Sequence, residues 1–236
     1  ISASIYYLNS QKAGFNSGGE IKTIADEQVQ KQNAEETEAQ ASGYIPDENA
    51  INRKKSLYEE APELTGIAGY INTNPTIKIQ NLKGKVVLVD FWTYTCINCI
   101  RTLPYLKDWH EKYANKGLVI LGVHTPEFEF EKEFDNVKSA VEKYGLKYAV
   151  VQDNDYATWR AYKNRYWPHK YLIDIDGFIR YDHIGEGAYA ETERVIQELL
   201  KEKMEGEGDV KLWGAVDKNI ESVDVDFGKV GTPEIY

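Results

Sequence analysis

The chain has 236 residues, 42% of them hydrophobic, which is enough for a proper core without disulfide staples. Its formal net charge of -10 opposes a nucleic-acid backbone or an anionic membrane surface as the main partner and favours soluble, protein-facing chemistry. With only two cysteines, a scaffold held by several disulfides is excluded, and the placement of the pair becomes informative.

The chain opens on the apolar fragment ISASIYYL, readable as the stump of a membrane anchor or as a terminal strand that packs elsewhere. No run of about twenty apolar residues follows that would span a bilayer. Up to residue 60 the composition turns to Gln, Glu, Asn, Lys and Ser, and TIADEQVQKQNAEETEAQ has helix formers but no wide apolar stripe. Residues 1–60 therefore read as a solvated stalk or linker, partly helical.

Pattern begins with residues 61–203. TIKIQ alternates, Leu82-Lys83-Gly84 marks a turn, and VVLVDFW is a continuous run of the kind found in a strand buried on both faces. After Cys96, the residues Ile100, Leu103, Leu106, Trp109 and Tyr113 recur at helical spacing. GLVILGVH reads as a second buried strand, and Phe130, Phe134, Val137 and Val141 mark a second amphipathic helix ending near Gly145. YAVVQD is a third strand and DYATWRAYKN a short helix. HKYLIDIDGFIRYDHIG gives two strands about Asp176-Gly177, and Val195, Ile196, Leu199 and Leu200 a closing helix. The order predicts an α/β fold, a mixed central sheet with helices on both faces. Residues 204–236, rich in Gly and acids, read as a tail or linker.

Cys96 and Cys99 are three apart at the expected start of a helix. Such thiols form a redox pair, half of a metal site, or simple packing. For the redox reading, unpaired N–H groups and the positive end of the helix dipole favour a thiolate at Cys96, with Cys99 shielded one turn in. Cys96 then attacks a partner disulfide and Cys99 resolves the mixed disulfide. A closed zinc site needs four ligands, and His110, His124, His169 and His183 show no paired spacing, so no metal is expected. Asp90, inside the apolar strand, is either a buried proton acceptor for Cys99 or a strand-end carboxylate turned to solvent. Glu127 is an alternative acid or the start of a helix, Glu186 an alternative acid near Pro168, and His124 a structural histidine. Tyr94 lines a partner groove or packs, and Pro104 must break one hydrogen bond of its helix.

The run VDFWTYTCINCIRTLP resembles the active-site segment of the thioredoxin superfamily, with Asp90, Phe91, Trp92, Cys96, Cys99 and Pro104 at matching offsets. That resemblance, which covers roughly residues 63–203, implies a thioredoxin-like fold and a cis-proline opposite the redox pair. Pro168 fits it, with Trp167 presenting backbone to a bound substrate strand; the alternative is a trans proline at a strand edge. The inserted helix FEFEKEFDNVKSAVEKYG is similar to extracytoplasmic proteins of the TlpA type. FWTYTCINCIRTLP, GVHTPEF, NRYWPHKYLID and GEGAY together look most like the thioredoxin-like domain of DipZ-type proteins, which follows a CcdA-like membrane domain.

The resemblance implies an extracytoplasmic, membrane-anchored thiol-disulfide oxidoreductase without a cofactor. It would act on protein disulfides through its Cys-Ile-Asn-Cys dithiol, reducing them with electrons from a fused or adjacent CcdA-like donor. Ordinary thioredoxins have Trp before the first Cys and Gly-Pro within the pair; Thr95 and Ile97-Asn98 stand here, so redox poise and substrate choice do not transfer. Thr102 replaces the acid found in cytochrome c maturation members of the ResA type. Two other readings compete: a thiol peroxidase, for which Thr93 and Arg101 are nearby, and a non-catalytic binding module on the same fold.

Overall fold

The computed structural model describes residues 44–206. The fragment 1–8, the helix-forming stretch at 23–40 and the tail from 207 onward lie outside the described residues.

The chain enters through α1 (Glu48–Lys55), capped by Asp47, whose carboxylate accepts the N–H groups of Asn49 at 2.9 Å and Ala50 at 3.3 Å. Glu48 in its first turn and Arg53, Lys54 and Lys55 in its last complement the helix dipole. None of its residues is buried, so apolar packing cannot anchor it. Lys54 does so instead. Its ammonium lies 2.8 Å from Asp174, 2.5 Å from Asp176 and 2.6 Å from Glu202. Those three carboxylates are close enough together to hold one cation, and the lysine fills that role. Tyr44 donates its hydroxyl to Asp176, and the Ile179 N–H donates to the Glu59 carbonyl at 2.9 Å. Residues 44–60, within the stretch assigned to the stalk, thus rest on the sheet domain.

Among the described residues six strands form one sheet in the order β1-β4-β3-β2-β5-β6. They are β1 (Gly69–Ile71), β2 (Val86–Trp92), β3 (Leu118–His124), β4 (Ala149–Gln152), β5 (His169–Ile173) and β6 (Ile179–Ile184). β2 pairs with β3 and β3 with β4 in parallel, whereas β5 runs antiparallel to β2 and β6 antiparallel to β5. β2 is buried along its whole length, as its unbroken apolar run predicts.

Alternation divides the core in two. Val86, Leu88 and Trp92 face a layer with Leu103, Leu106 and Trp109 of α2 (Ile97–Tyr113), Val137 and Val141 of α3 (Phe134–Tyr144), and Ile196, Leu199 and Leu200 of α5 (Tyr189–Gly206). Val87, Val89 and Phe91 face the other layer, with Trp159 of α4 (Ala157–Ala161), Tyr162 and Tyr171. Each fully buried large apolar side chain contributes roughly 1.5–3 kcal/mol. Phe91 is edge-on to Trp159, Tyr162 and Tyr171 at 5.7, 5.3 and 5.9 Å between centroids. The expected α/β architecture, a mixed sheet with helices on both faces, is the one observed.

Three local readings differ. The alternating TIKIQ does not pair as a strand; it forms a turn leading into a short 3-10 segment, Gln80–Leu82. There the Glu63 carboxylate accepts the N–H of Ile79 at 2.7 Å and of Gln80 at 3.1 Å, so Ile79 is buried by a capped loop. The antiparallel edge strand β1, unmarked by any long apolar pattern, takes the sheet edge instead. Finally, α3 begins at Phe134. Phe130 belongs to the 3-10 turn Glu129–Lys132, and both Phe130 and Phe134 are exposed. The helix ends as expected at Gly145, whose φ of 65° closes the last turn.

Candidate active site

The carboxyl ends of β2 and β3 and the start of β5 meet at one edge of the sheet, where Trp92 is in register with His124 and Phe91 with His169. The segment Thr93-Tyr94-Thr95 leaves β2 there and delivers Cys96 to the N-cap of α2. Cys96 has extended backbone (φ -71°, ψ 115°), and its sulfur accepts the Cys99 N–H at 3.3 Å. It is half-buried, whereas Cys99 is buried in the α2 layer. Both thiols are free and adjacent. Among the described residues no third His, Asp or Glu lies close enough to complete a metal cluster with them.

The two sulfurs are electrostatically unequal. A hydrogen bond from the Cys99 thiol, aided by the backbone N–H groups of Cys99 and Asn98, brings Cys96 down to about 7 against the opposing effects of burial and the Glu127 charge. Burial first, then the neighbouring Cys96, pushes the Cys99 thiol well up. The arrangement leaves one sulfur half-exposed with its thiol acidified and the other shielded and protonated.

Asp90 faces this layer from β2. It is buried, and its Oδ1 finds no hydrogen-bond partner among the described residues. Burial raises its carboxyl from the ordinary carboxylate range toward neutrality, Lys170 pulls it back, and Cys96 adds to the rise. Lys170, the residue of β5 in register with Asp90, was not singled out by the sequence. Its signal was present: a lysine inside a predicted buried strand is as costly to desolvate as an aspartate there.

The loop entering Cys96 is held from below by a second carboxylate that the sequence did not mark. Glu131 is buried; its Oε1 accepts the Thr95 hydroxyl at 2.5 Å, and its Oε2 accepts the N–H groups of Glu127 at 2.5 Å and Phe128 at 3.0 Å. These hydrogen bonds hold it ionised against the cost of burial. Nothing in the acidic-aromatic run EFEFEKEF distinguishes this Glu from its exposed neighbours. Beside it, His124 is buried with Nε2 3.3 Å from the Thr93 hydroxyl, and burial lowers its pKa to about 4. A neutral imidazole with Tyr94 stacked on it at 5.5 Å supports the loop.

The Tyr94 hydroxyl donates to the Phe130 carbonyl at 3.4 Å, so the residue links the cysteine loop to the 3-10 turn. Glu127 is exposed and close enough for its charge to oppose Cys96 ionisation; it precedes the 3-10 turn and starts no helix. Glu186 is exposed and 3.8 Å from Arg101. The Thr93 and Arg101 side chains are therefore engaged with His124 and Glu186 respectively. The Trp167–Pro168 peptide is cis. Trp167 donates its indole N–H to the Thr125 carbonyl at 3.1 Å, and the Gly185 N–H donates to the Pro168 carbonyl at 2.8 Å. Thr102, one turn after Cys99's neighbours, donates its hydroxyl to the Asn98 carbonyl at 2.9 Å.

Comparison with known proteins gives the same segment. Residues 58–182 match the model of the AhpC/TSA family. Over 148 residues, 62% of this chain, the sequence is 47% identical to protein DipZ of Mycobacterium tuberculosis, and it spans only 21% of that protein's length. It is 30% identical over 159 residues to the thiol-disulfide oxidoreductase ResA of Bacillus thuringiensis, covering 66% of this chain and 79% of that one. A thioredoxin-like protein solved in solution in its oxidized form superposes with a TM-score of 0.57 at 26% identity, covering 62% of this chain and 97% of the other.

Proposed function

The chain belongs to the AhpC/TSA family, with a thioredoxin-like fold, and from that premise we propose that it is a thiol-disulfide oxidoreductase acting on protein disulfides. The observation that supports this most directly is the asymmetry of the dithiol: Cys96 half-exposed at a helix N-cap with its thiol acidified, Cys99 buried three residues on. The Cys96 thiolate attacks a substrate disulfide, forming a mixed disulfide and releasing one substrate thiolate, which takes a proton from water. Cys99 then gives its proton to Asp90 and attacks the Cys96 sulfur. The Cys96–Cys99 bond forms, the mixed disulfide breaks, and the second substrate thiolate leaves. Two enzyme thiols are oxidised and one substrate disulfide is reduced.

In this reading Trp167, Pro168 and Tyr94 border the substrate segment, Glu127 tempers the nucleophile by its charge, and Glu186 stays outside the chemistry. The working direction is reduction, outside the cytoplasm, with electrons from a CcdA-like membrane donor to which the full protein is anchored. The likeness to DipZ and to the thiol-disulfide oxidoreductase ResA supports the exchange chemistry on which this direction is built. No helix among the described residues is long and apolar enough to cross a membrane.

The deciding measurement is the reduction potential of the Cys96/Cys99 pair, by equilibration in glutathione or dithiothreitol buffers and thiol alkylation. A value at or below about -220 mV supports the reductant; one of about -120 to -180 mV makes the protein an oxidant or isomerase and removes the donor from the scheme. Turnover of hydrogen peroxide in the absence of a disulfide substrate would replace this reading by the peroxidase.

A further inference from the structure

Asp90 has a different neighbour on each side. Its register partner on β3 is Gly122, which brings no side chain; a Cβ there would already stand 3.0 Å from the Trp92 indole nitrogen. On β5 the partner is Lys170. Directly opposed residues of an antiparallel pair hold their Cβ atoms about 4.5–5.5 Å apart on one face. Alternation puts both on the face against α2, because Leu88 and Trp92 flank Asp90 in that layer, Leu172 follows Lys170 in it, and Cys99 belongs to it.

Lys170 is fully buried. Its ammonium donates to the Gly185 carbonyl at 3.1 Å and lies 5.7 Å from the centre of the Tyr189 ring. Among the described residues no carboxylate closes an ion pair with it at contact distance. An unpaired ammonium at a site where Met or Leu would pack costs stability. The groups facing it account for its placement: Asp90 from β2, Cys99 from α2, Glu186 from the β6–α5 loop and Tyr189 from α5. Asp90 in turn faces Lys170, Cys96 and the buried Tyr148.

We propose that Lys170 is a positioning residue for the proton transfer, its ammonium holding the buried Asp90 side chain as the carboxylate that accepts the Cys99 proton. Lys170 touches neither sulfur in this role; it acts through Asp90. The inference rests on the disulfide-exchange reading above. When Cys99 loses its proton, Asp90 becomes neutral while Lys170 keeps its charge, and the new thiolate forms within the field of that ammonium. The proton leaves Asp90 after the second substrate thiolate has gone, which resets the pair.

The reduced protein mixed with dithiobis(nitrobenzoate) releases one coloured thiolate when Cys96 attacks and a second when Cys99 resolves, so the two steps are read separately. Lys170→Met should slow the second phase about tenfold at pH 7 and move its pH midpoint up by about one unit, with the first phase little changed. Lys170→Arg should restore both values to within about twofold. In an Asp90→Asn background, Lys170→Met should shift the midpoint no further. Superimposable second-phase profiles for wild type and Lys170→Met overturn the inference. Should the Met variant not fold, NMR of the wild-type protein decides: the Lys170 ε-carbon signal must move as the Asp90 carboxyl titrates, and a signal that ignores that titration overturns it. A wild-type protein that gives neither coloured phase sinks the oxidoreductase reading itself, a result distinct from normal phases with unshifted profiles.

Discussion

The two ends of β5 bury charge in opposite ways. Just beyond its carboxyl end, Asp174 accepts the N–H groups of Asp176 at 3.1 Å and Phe178 at 3.0 Å, the Arg180 guanidinium at 3.0 Å and the Lys54 ammonium at 2.8 Å. Near the amino end, Lys170 has one carbonyl and a ring face, and Asp90 opposite it keeps an oxygen without a partner among the described residues. The first cluster closes the fold: each charge is paired, and Lys54 and Arg180 are pulled further toward their protonated forms by the hydrogen bonds of their acids. The second is left incomplete, and Asp90 shifts toward neutrality in consequence. Charge that is fully satisfied stabilises; charge that is partly satisfied stays able to exchange a proton.

Substitutions at each end should separate the two behaviours. The largest effect belongs to Cys96→Ser, which should abolish disulfide exchange while leaving the urea midpoint within experimental error, whereas Cys99→Ser should trap the mixed disulfide, visible by non-reducing electrophoresis. At the satisfied end, Asp174→Ala strands two backbone donors and takes one of several acids from Lys54 and Arg180, which keep Glu202, and should cost about 2–4 kcal/mol in urea denaturation, with the Cys96 alkylation rate unchanged. Asp90→Asn should slow the resolving step by about tenfold to a hundredfold at pH 7, seen in stopped-flow absorbance. Lys54→Ala leaves Arg180 to cover Asp174 and Glu202 and should cost only about 1–2 kcal/mol.

A pH profile sharpens the contrast. Cys96 is lowered from 9.0 to about 7, so its thiolate fraction falls as pH drops through 7 and rises above it. The rate of iodoacetamide alkylation should therefore climb with a midpoint near pH 7. The same midpoint is expected in Lys54→Ala, since that lysine belongs to the far cluster. A midpoint near 9 would contradict the hydrogen bonding seen at the N-cap.

What could be read from the sequence follows the range of the interactions involved. The strand Val86–Trp92 and the helix after Cys96 rest on neighbours in the chain, and their apolar spacing and Cys-x-x-Cys offset were sufficient. Pairings across the sheet were not legible in that way. Lys170 gains its meaning only from the register that sets it opposite Asp90, and Glu131 only from the fold of a 3-10 turn beneath Thr95. TIKIQ failed for a related reason: alternation reports a half-buried Ile77 and a buried Ile79, and a carboxylate from Glu63 supplied by another segment satisfies the backbone that a strand partner would have taken. Lys54 fits the same account, because its three acids come from residues more than a hundred positions later.

The Asp90–Lys170 pairing also guards the assembly of the chain. If β5 slipped by two residues along β2, Lys170 would stand opposite Leu88 or Trp92, and Asp90 opposite Leu172 or Pro168, leaving two unlike charges stranded in hydrocarbon. A slip by one residue would turn Lys170 into the aromatic layer around Phe91. Each misaligned sheet would set the two opposite charges apart in hydrocarbon, so their opposition across β2 and β5 favours the native register.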